Sequence, residues 1–218
     1  MNDITPHTLN PCGCVPLTRR GQERRDALLQ AADKLFLARG YTAVSLDELV
    51  SVVGGSKAAI YKYFGGKHGL LVAMVEYRCA KFFTDSEAPT QLGQQAVGEV
   101  LRAIAAQIFR IFNLPDNIAF TRLVMQESQT DPDIAQLAYD AGPKRGLDLI
   151  ARILTEAHQA GQIHCDRPFE SAILFLGILR HSQWRLMVGL PALEPALEPK
   201  AFLDYSIDRF LAAHQVTS

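Results

Sequence analysis

The sequence predicts an all-α protein, with an N-terminal three-helix helix-turn-helix domain followed by a C-terminal helical bundle. Two observations support this fold class. Apolar residues recur at helical spacing along most of the chain, and no segment shows the alternation typical of a strand. In addition, the segment SLDELVSVVGGSKAAIYKYFGGK, residues 45–67, has the pattern of two short helices joined by a glycine turn.

The composition is that of a globular protein large enough to bury a substantial core. The chain has 218 residues, of which 48% are hydrophobic and 21% are charged. No apolar run approaches the roughly 18 residues that a membrane span needs. Residues 1–17 also lack the basic, apolar and small-residue order of a secretion signal. We therefore expect a cytoplasmic protein with no membrane partner.

Charge is distributed unevenly, although the formal net charge is only −1. Residues 1–67 carry nine Lys or Arg against six Asp or Glu, whereas residues 68–218 carry thirteen against seventeen. A basic end on a slightly acidic body suits a protein that presents one end to phosphate groups.

Residues 1–17 contain three prolines and no periodicity, which predicts a mobile leader. Cys12 and Cys14 lie in this leader, separated by one residue. That spacing differs from common zinc sites and no second pair is near, so we predict no metal and no cofactor. Two thiols in a flexible arm are expected, and a redox role for them stays open.

A first long helix is predicted from about Arg20 to Ala38, because Leu28, Ala32, Leu35 and Phe36 form one apolar stripe. Arg39-Gly40 is expected to end it. This helix would pack on the helix-turn-helix pair and hold it in place.

The helix-turn-helix is defined by its caps. Ser45 and Glu48 have the spacing of a capping box, which predicts a helix over 46–52. A glycine pair ends that helix, since glycine tolerates the left-handed conformation found at helix C-termini. Ser56 is the next predicted N-cap, and it opens a second helix over 57–64.

The second of these helices has one polar and basic face. Lys57, Ala58, Tyr61 and Lys62 fall within one arc, and Ile60 lies on the opposite side. Such a face suits a helix that enters the DNA major groove, where Lys and Tyr reach bases or phosphates and Ala can contact a thymine methyl group. The pattern alone also allows an ordinary helical hairpin with a solvated basic face.

This segment resembles the signature of the TetR/AcrR transcriptional regulators, roughly G-V-S-x-G-T-[LI]-Y-x-Y-F-x-[SN]-K-E-x-L. The matching positions are Gly54, Ser56, Ile60, Tyr61, Tyr63, Phe64, Lys67, Leu70 and Leu71, preceded by Gly40, Tyr41, Ser45 and Leu46. The resemblance implies an all-helical homodimer, with an N-terminal DNA-binding domain and a larger C-terminal domain for effector binding and dimerisation.

The chain departs from the signature at several positions. Gly55 replaces the usual Val, Ala58-Ala59 replace Gly-Thr, Gly66 replaces Ser or Asn, and His68 replaces Glu. Ala59 lacks the threonine hydroxyl that often reaches a phosphate, so that contact is not carried over.

Arg19 and Arg20 stand at the start of the first helix, where a helix N-terminus repels cations. In TetR-like proteins such an arm can lie against phosphate or the minor groove; the alternative is a solvated helix start. The pattern and the resemblance together place the following residues at DNA: Arg19, Arg20, Ser45, Ser56, Lys57, Ala58, Ala59, Tyr61, Lys62, Tyr63 and Lys67.

Later helices follow from apolar periodicity and from Pro and Gly breaks. We predict a fourth helix from after Gly66 to about Phe83, and a break at 85–90. Further helices are predicted over about 91–113, 115–129, 132–141, 143–161, 168–189 and 200–214.

Residues 123–161 are similar to the C-terminal domain of AefR-like TetR repressors, which read roughly E-x-x-R-F-P-E-L-A-x-x-F-Y-x-x-G-P. Asp131 stands where that branch often has Phe. We therefore divide the chain into a leader at 1–17, a DNA-binding domain at 18–67, and an effector-binding and dimerisation domain at 68–218.

The C-terminal domain is expected to serve dimerisation and ligand binding. Its last two long helices are predicted to pack with their copies as a four-helix bundle, giving a two-fold homodimer and a near-palindromic operator. The candidate residues for a small-molecule pocket are Phe109, Phe112, Met125, Gln126, Arg180, His181 and Trp184. For each of them the alternative is a place in the core or the dimer interface. Trp184 stands out because a buried indole N–H needs a partner.

Catalysis is not predicted. His158, His164, Cys165 and Asp166 lie close in sequence around a helix end, but neighbouring residues point apart and the two histidines share no helix face. The sequence thus predicts a one-component repressor that a small molecule releases from double-stranded DNA. The alternative is a DNA-binding regulator of the same fold without a small-molecule effector, acting as an activator, an architectural factor or a protein-binding regulator.

Overall fold

The computed structural model describes residues 17–84 and 91–214, and in these ranges the chain forms ten α-helices and no strand. Their bounds are α1 Arg19–Arg39, α2 Leu46–Val53, α3 Lys57–Phe64, α4 Lys67–Thr84, α5 Val97–Phe112, α6 Pro115–Glu127, α7 Pro132–Ala141, α8 Pro143–Gln159, α9 Pro168–Met187 and α10 Pro199–Ala212. The predicted all-α class is confirmed. The predicted leader before Leu17, with Cys12 and Cys14, and the predicted break at 85–90 lie outside the described residues.

The N-terminal core is built from apolar residues of α1 to α4. Phe36, Leu49 and Ile60 are fully buried in it. The same cluster continues into the C-terminal part of the chain, where α6 and α7 add Leu123 and Ile134. The DNA-binding domain expected at 18–67 therefore shares one core with helices beyond it.

The C-terminal core lies between α5, α8, α9 and α10. Its fully buried residues include Leu101, Ile153, Phe175 and Ile207, one from each of the four helices. α8 and α9 form the most extensive helix pair of this core. One face of α9 is thereby covered within the chain.

Helix α4 packs in the N-terminal core, against α1 and α3 on one side and α7 on the other. Its first half contributes Leu70 and Met74 to the N-terminal core. Further along, the Arg78 guanidinium forms a two-pronged ion pair with Asp33 of α1, with Nη2 2.9 Å from Oδ2. Arg78 also donates to the backbone oxygen of Asp116 at the start of α6, at 3.3 Å. Three helices are thus held together by one side chain.

Helix α5 begins later than its periodicity predicts, and this corrects the expected start near residue 91. The Gln162 side chain caps it from another helix end, since its Oε1 accepts from Val97 N at 2.7 Å and its Nε2 donates to Gln95 O at 3.1 Å. The Leu92 N–H donates to Glu156 Oε2 at 3.0 Å. These tertiary bonds hold residues before Val97 outside the helix.

Within the described residues, no helix combines the length and the apolar character needed to cross a membrane.

Candidate nucleic-acid interface and ligand cavity

The capping box at the start of α2 forms as predicted. Ser45 Oγ accepts from Glu48 N at 3.2 Å, and Glu48 Oε2 accepts from Ser45 N at 2.8 Å. Arg39 Nη1 lies 2.6 Å from the other carboxylate oxygen of Glu48. The backbone N–H of Ser45, followed by the Arg39 guanidinium, lowers the pKa of Glu48 from 4.5 to about 2. The box fixes where α2 starts and ties it to the end of α1.

The turn between α2 and α3 depends on two glycines with positive φ. Gly54 has φ 76° and Gly55 has φ 112°, conformations that side chains with a Cβ rarely adopt. Arg24 of α1 donates to the Gly54 carbonyl oxygen and fills the space that a Cβ at position 55 would occupy. A side chain at position 55 would therefore meet both an unfavourable φ and the Arg24 guanidinium.

Helix α3 turns its polar face outward. Ile60 is its fully buried contact, whereas Lys57, Ala58, Tyr61 and Lys62 are exposed, with 58% of Tyr61 accessible. The structure therefore gathers these four predicted residues on one open surface. Its width and chemistry suit a major-groove contact.

Four other predicted contacts flank this face. Ser45 and Ser56 are exposed, and Ala59 and Tyr63 are partly buried. Ser56 stands at the N-cap of α3, but its side chain makes no capping hydrogen bond. The predicted N-cap position is therefore confirmed. The hydroxyl is not engaged in capping.

The first arginines of α1 divide into two pairs. Arg19 and Arg20 are exposed, and Arg19 Nε lies 3.0 Å from Glu23. Arg24 binds the turn, and Arg25 lies 5.2 Å from the centroid of the Phe64 ring. Of these four arginines, only Arg19 and Arg20 are therefore placed to contact DNA.

Lys67, the predicted phosphate contact at the start of α4, is partly buried. Its Nζ lies 4.3 Å from the centroid of the Tyr41 ring. Burial lowers the pKa of Lys67 below its usual value, with Glu127 and Glu48 acting in the opposite sense. The cation is therefore held against an aromatic face within the chain.

A cavity of about 360 Å³ lies in the C-terminal domain, between the end of α4, α5 and α8. Its apolar walls are Phe82, Phe83, Ile104, Ile108, Leu149 and Ile150. Its polar lining residues are Gln107, Arg145, Asp148 and Arg152. The cavity thus combines a largely apolar surface with a few convergent polar groups.

The seven pocket residues predicted from sequence do not line this cavity. Phe109 and Phe112 pack partly buried on the C-terminal core. The other five are Met125 and Gln126 on α6 and Arg180, His181 and Trp184 on α9; all are exposed. Trp184 is 61% accessible, so its indole is not buried as the reasoning about its N–H required. The structure does not bring the seven into one site.

The sequence did contain a signal for the actual cavity. Gln107 interrupts the inward face of α5 between Ile104 and Ile111, and a polar residue at such a position asks for a partner or a ligand. Arg145 and Arg152 lie two turns apart on α8, which places them on neighbouring parts of one face. They line one cavity together with Phe82 of α4, an arrangement that local periodicity does not reveal.

Comparison with known proteins adds independent evidence. Residues 28–74 match the family model described as bacterial regulatory proteins, tetR family, and residues 99–216 match the C-terminal domain of AefR-like transcriptional repressors. Over 146 residues the chain is 28% identical to the transcriptional repressor ComR of Escherichia coli K12, covering 65% of this chain and 70% of ComR. Over 145 residues it is 30% identical to the transcriptional activator FasR of Mycolicibacterium smegmatis, covering 65% of each.

One solved structure is similar along nearly the whole chain. The flavonoid-responsive regulator FrrA is 30% identical and superposes with a TM-score of 0.77, covering 90% of this chain and all of FrrA. The fold, the exposed face of α3 and both family models agree. The chain belongs to the TetR family of DNA-binding transcriptional regulators, with a C-terminal domain of the AefR-like repressor type.

Proposed function

We propose that this protein is a homodimeric, cytoplasmic repressor that binds a near-palindromic operator and is released from it by a small molecule. The observation that carries the proposal is the course of α4. It starts at Lys67, beside the recognition helix α3, and ends with Phe82 and Phe83 in the wall of the cavity. One rigid element therefore touches both the ligand cavity and the DNA-binding domain.

DNA recognition is assigned to the outward face of α3. Tyr61 and Lys62 would reach base edges, and Ala58 permits close approach of the helix to the groove. Arg19 and Arg20 would contact the phosphate backbone from the start of α1. Lys57 lies 2.8 Å from Asp47, so its charge is partly engaged within the chain.

Dimerisation is assigned to the face of α9 that this chain leaves uncovered. Phe169, Ile173, Trp184 and Val188 are exposed along one side of α9 and the residue that follows it. Gly177, Arg180 and His181 lie between Ile173 and Trp184 on this part of α9 and are also exposed. A patch with several exposed apolar residues marks an interface more often than a solvated surface. On α10, Tyr205 is also exposed, and a two-fold axis beside both helices would create a four-helix bundle.

Ligand response follows from coupling between the two sites. A molecule that fills the cavity between α4, α5 and α8 favours the position of α4 that fits it best. If that position holds the two recognition helices at a distance that does not fit the operator, the ligand lowers DNA affinity. The loss of DNA-binding free energy is limited by the difference in the ligand's binding free energy between the two states.

A second candidate is an activator or other regulator of the same fold without a small-molecule effector. It is favoured by the relative FasR, which is named an activator. The two candidates differ in whether a molecule that binds the cavity changes DNA affinity.

The test is fluorescence anisotropy with labelled duplex DNA from upstream of the gene, against scrambled DNA, at two salt concentrations. Specific and salt-sensitive binding by a dimer supports the repressor. Failure to bind any duplex at low salt would overturn it. Two matched variants each remove one lysine charge: Lys62→Ala on the proposed DNA-contacting face of α3, and Lys200→Ala on α10. Comparing their DNA affinities separates a contact in the groove from a general effect of charge.

A further inference from the structure

One residue that lines the cavity, Gln107, has an unsatisfied hydrogen-bond donor. Gln107 Oε1 accepts from Arg110 Nε at 3.3 Å, which fixes the orientation of the side-chain amide. The amide nitrogen of Gln107 is buried and has no hydrogen-bond partner among the described residues. An unpaired buried donor lowers stability and is therefore uncommon in folded proteins. An acceptor atom from a bound molecule would remove this cost.

The charged residues at the cavity are mainly cationic. Arg145 and Arg152 line it together with one carboxylate, that of Asp148. The Arg145 guanidinium lies 4.3 Å from the centroid of the Phe83 ring, so it is held over the cavity wall. Asp148 Oδ2 lies 3.8 Å from Lys144 Nζ, so the lysine offsets the negative charge of the aspartate. Arg145 is therefore the cation that is placed to meet an anion in the cavity.

The remaining walls restrict the size and polarity of the ligand. Six apolar side chains surround the space, and its volume lies at the lower end of the roughly 300–1,000 Å³ found for small-molecule sites. A large or highly polar ligand would leave unpaired polar groups against these walls.

We propose that the ligand of this cavity is a small amphipathic carboxylate. Its apolar body would lie against the phenylalanines and isoleucines, and its carboxylate would face Arg145. One of its oxygens would accept from the Gln107 amide. The inference rests on the proposed ligand-responsive function, and it narrows the effector to one chemical class.

The first experiment compares anions with neutral molecules of the same shape. Octanoate and phenylbutyrate are titrated by calorimetry into the full chain, each beside its own primary amide. A charge-assisted contact in a partly enclosed site predicts that at least one carboxylate binds about ten- to a hundredfold more tightly than its amide.

Two variants locate the contact. In Arg145→Gln the preference for the carboxylate over the amide should fall about tenfold. In Gln107→Leu the carboxylate should bind more weakly, while the ligand-free protein should melt about 2–4 °C higher because an unpaired donor is removed. These opposite changes distinguish a ligand contact from a general structural role. Arg167→Gln, an arginine at the start of α9 that does not line the cavity, is the control and should bind as the unaltered chain does.

The outcomes separate this inference from the proposed function. Equal binding of acid and amide, or no binding of either, would overturn the carboxylate proposal. A carboxylate preference that Arg145→Gln leaves intact would also overturn it. Carboxylate binding that follows the predicted pattern, in a protein that binds no duplex DNA, would support the ligand class and overturn the repressor. Operator binding that the tight carboxylate weakens supports both.

Discussion

The contacts of the Glu48 carboxylate strongly favour its ionised form. Its carboxylate accepts from the Ser45 N–H and pairs with Arg39, and the pKa of Glu48 in the folded protein is lowered to about 2. A carboxyl group with a lowered folded-state pKa stabilises the protein above its unfolded pKa near 4.5. That stabilisation is lost as the pH falls toward about 2.

We therefore predict that Glu48→Gln flattens the dependence of unfolding free energy on pH between about 4.5 and 2. The glutamine oxygen can still accept from the backbone, so the helix start survives, but the titrating charge is gone. Urea midpoints measured across this range test the prediction. A Glu48→Gln profile parallel to that of the unaltered protein would contradict the prediction.

Two lysines are expected to contribute to DNA affinity in different ways. Lys62→Ala should weaken operator binding by about 1–3 kcal/mol if the side chain reads a base, and should relax specificity there. If the Lys67 cation reaches a phosphate as well as the Tyr41 ring, Lys67→Ala should weaken all sequences alike and reduce the salt slope by about one. Anisotropy at several salt concentrations measures both. A selective loss on one operator after Lys67→Ala would exclude a phosphate role, and unchanged affinity after Lys62→Ala would remove Lys62 from the interface.

Sequence reasoning succeeded for residues whose role is local. Ser45 and Glu48 are three positions apart, and Lys57 to Lys62 share one helix, so spacing determines how they meet. Arg24 is different, because its partner carbonyl at Gly54 lies thirty positions away along the chain. Its internal role could not be separated from that of the exposed Arg19 by composition alone.

At the scale of elements, the turn between α2 and α3 makes a sharp prediction. Gly55→Ala should destabilise the protein by about 1–2 kcal/mol, because a Cβ opposes the positive φ. It should also displace the Arg24 guanidinium from the Gly54 carbonyl. In an Arg24→Ala background the cost of Gly55→Ala should be smaller. Urea unfolding of the unaltered protein, the two single variants and the double variant measures this coupling. Strictly additive losses of unfolding free energy would show that Arg24 does not occupy the space beside Gly55.

The junction of α1 and α4 is expected to depend on Arg78. This side chain is only 15% exposed and meets Asp33 with two nitrogen atoms. Arg78→Ala should destabilise the protein by about 1–3 kcal/mol. Arg19→Ala, which breaks the exposed pair with Glu23, should cost less than about 1 kcal/mol. Urea midpoints of the two variants and the unaltered protein measure these losses of stability. Equal small losses would mean that Arg78 does not hold the two helices together.

Element positions were predictable where caps and breaks are encoded nearby. α3 runs over Lys57–Phe64 as its flanking serine and glycines predict, and α7 follows Asp131 as expected. α5 was placed too early, because Gln162 and Glu156 act on its start from another part of the fold. Periodicity shows which residues are apolar on one side, but it does not show which distant side chain ends a helix.

At the scale of the whole molecule, the open face of α9 predicts the dimer. Ile173→Glu should shift the protein toward monomers, because it places a charge in the middle of an apolar interface. Light scattering after size exclusion measures the mass across a dilution series. Tyr139→Glu, at an exposed aromatic residue on α7, is the control and should remain dimeric. A dimer that persists unchanged in Ile173→Glu would place the interface elsewhere.

The candidate DNA face was predictable and the cavity was not, for a common physical reason. The DNA face is carried by one helix of eight residues, so its side chains are neighbours in sequence. The cavity brings Phe82, Gln107 and Arg145 together from three helices. The seven residues chosen from sequence had suitable chemistry, but nothing in a single helix reveals which of its faces borders a space.

Under the proposed ligand response, α4 would act as a lever, and its length can be stated. With 18 residues and about 1.5 Å rise per residue it is about 27 Å long. A tilt of about 10° about its cavity end would carry its other end about 5 Å, which exceeds the 3.4 Å step between base pairs. In a two-fold dimer the displacements of the two arms add. A ligand that shifts two phenylalanine rings slightly could therefore move the recognition helices out of step with the DNA grooves.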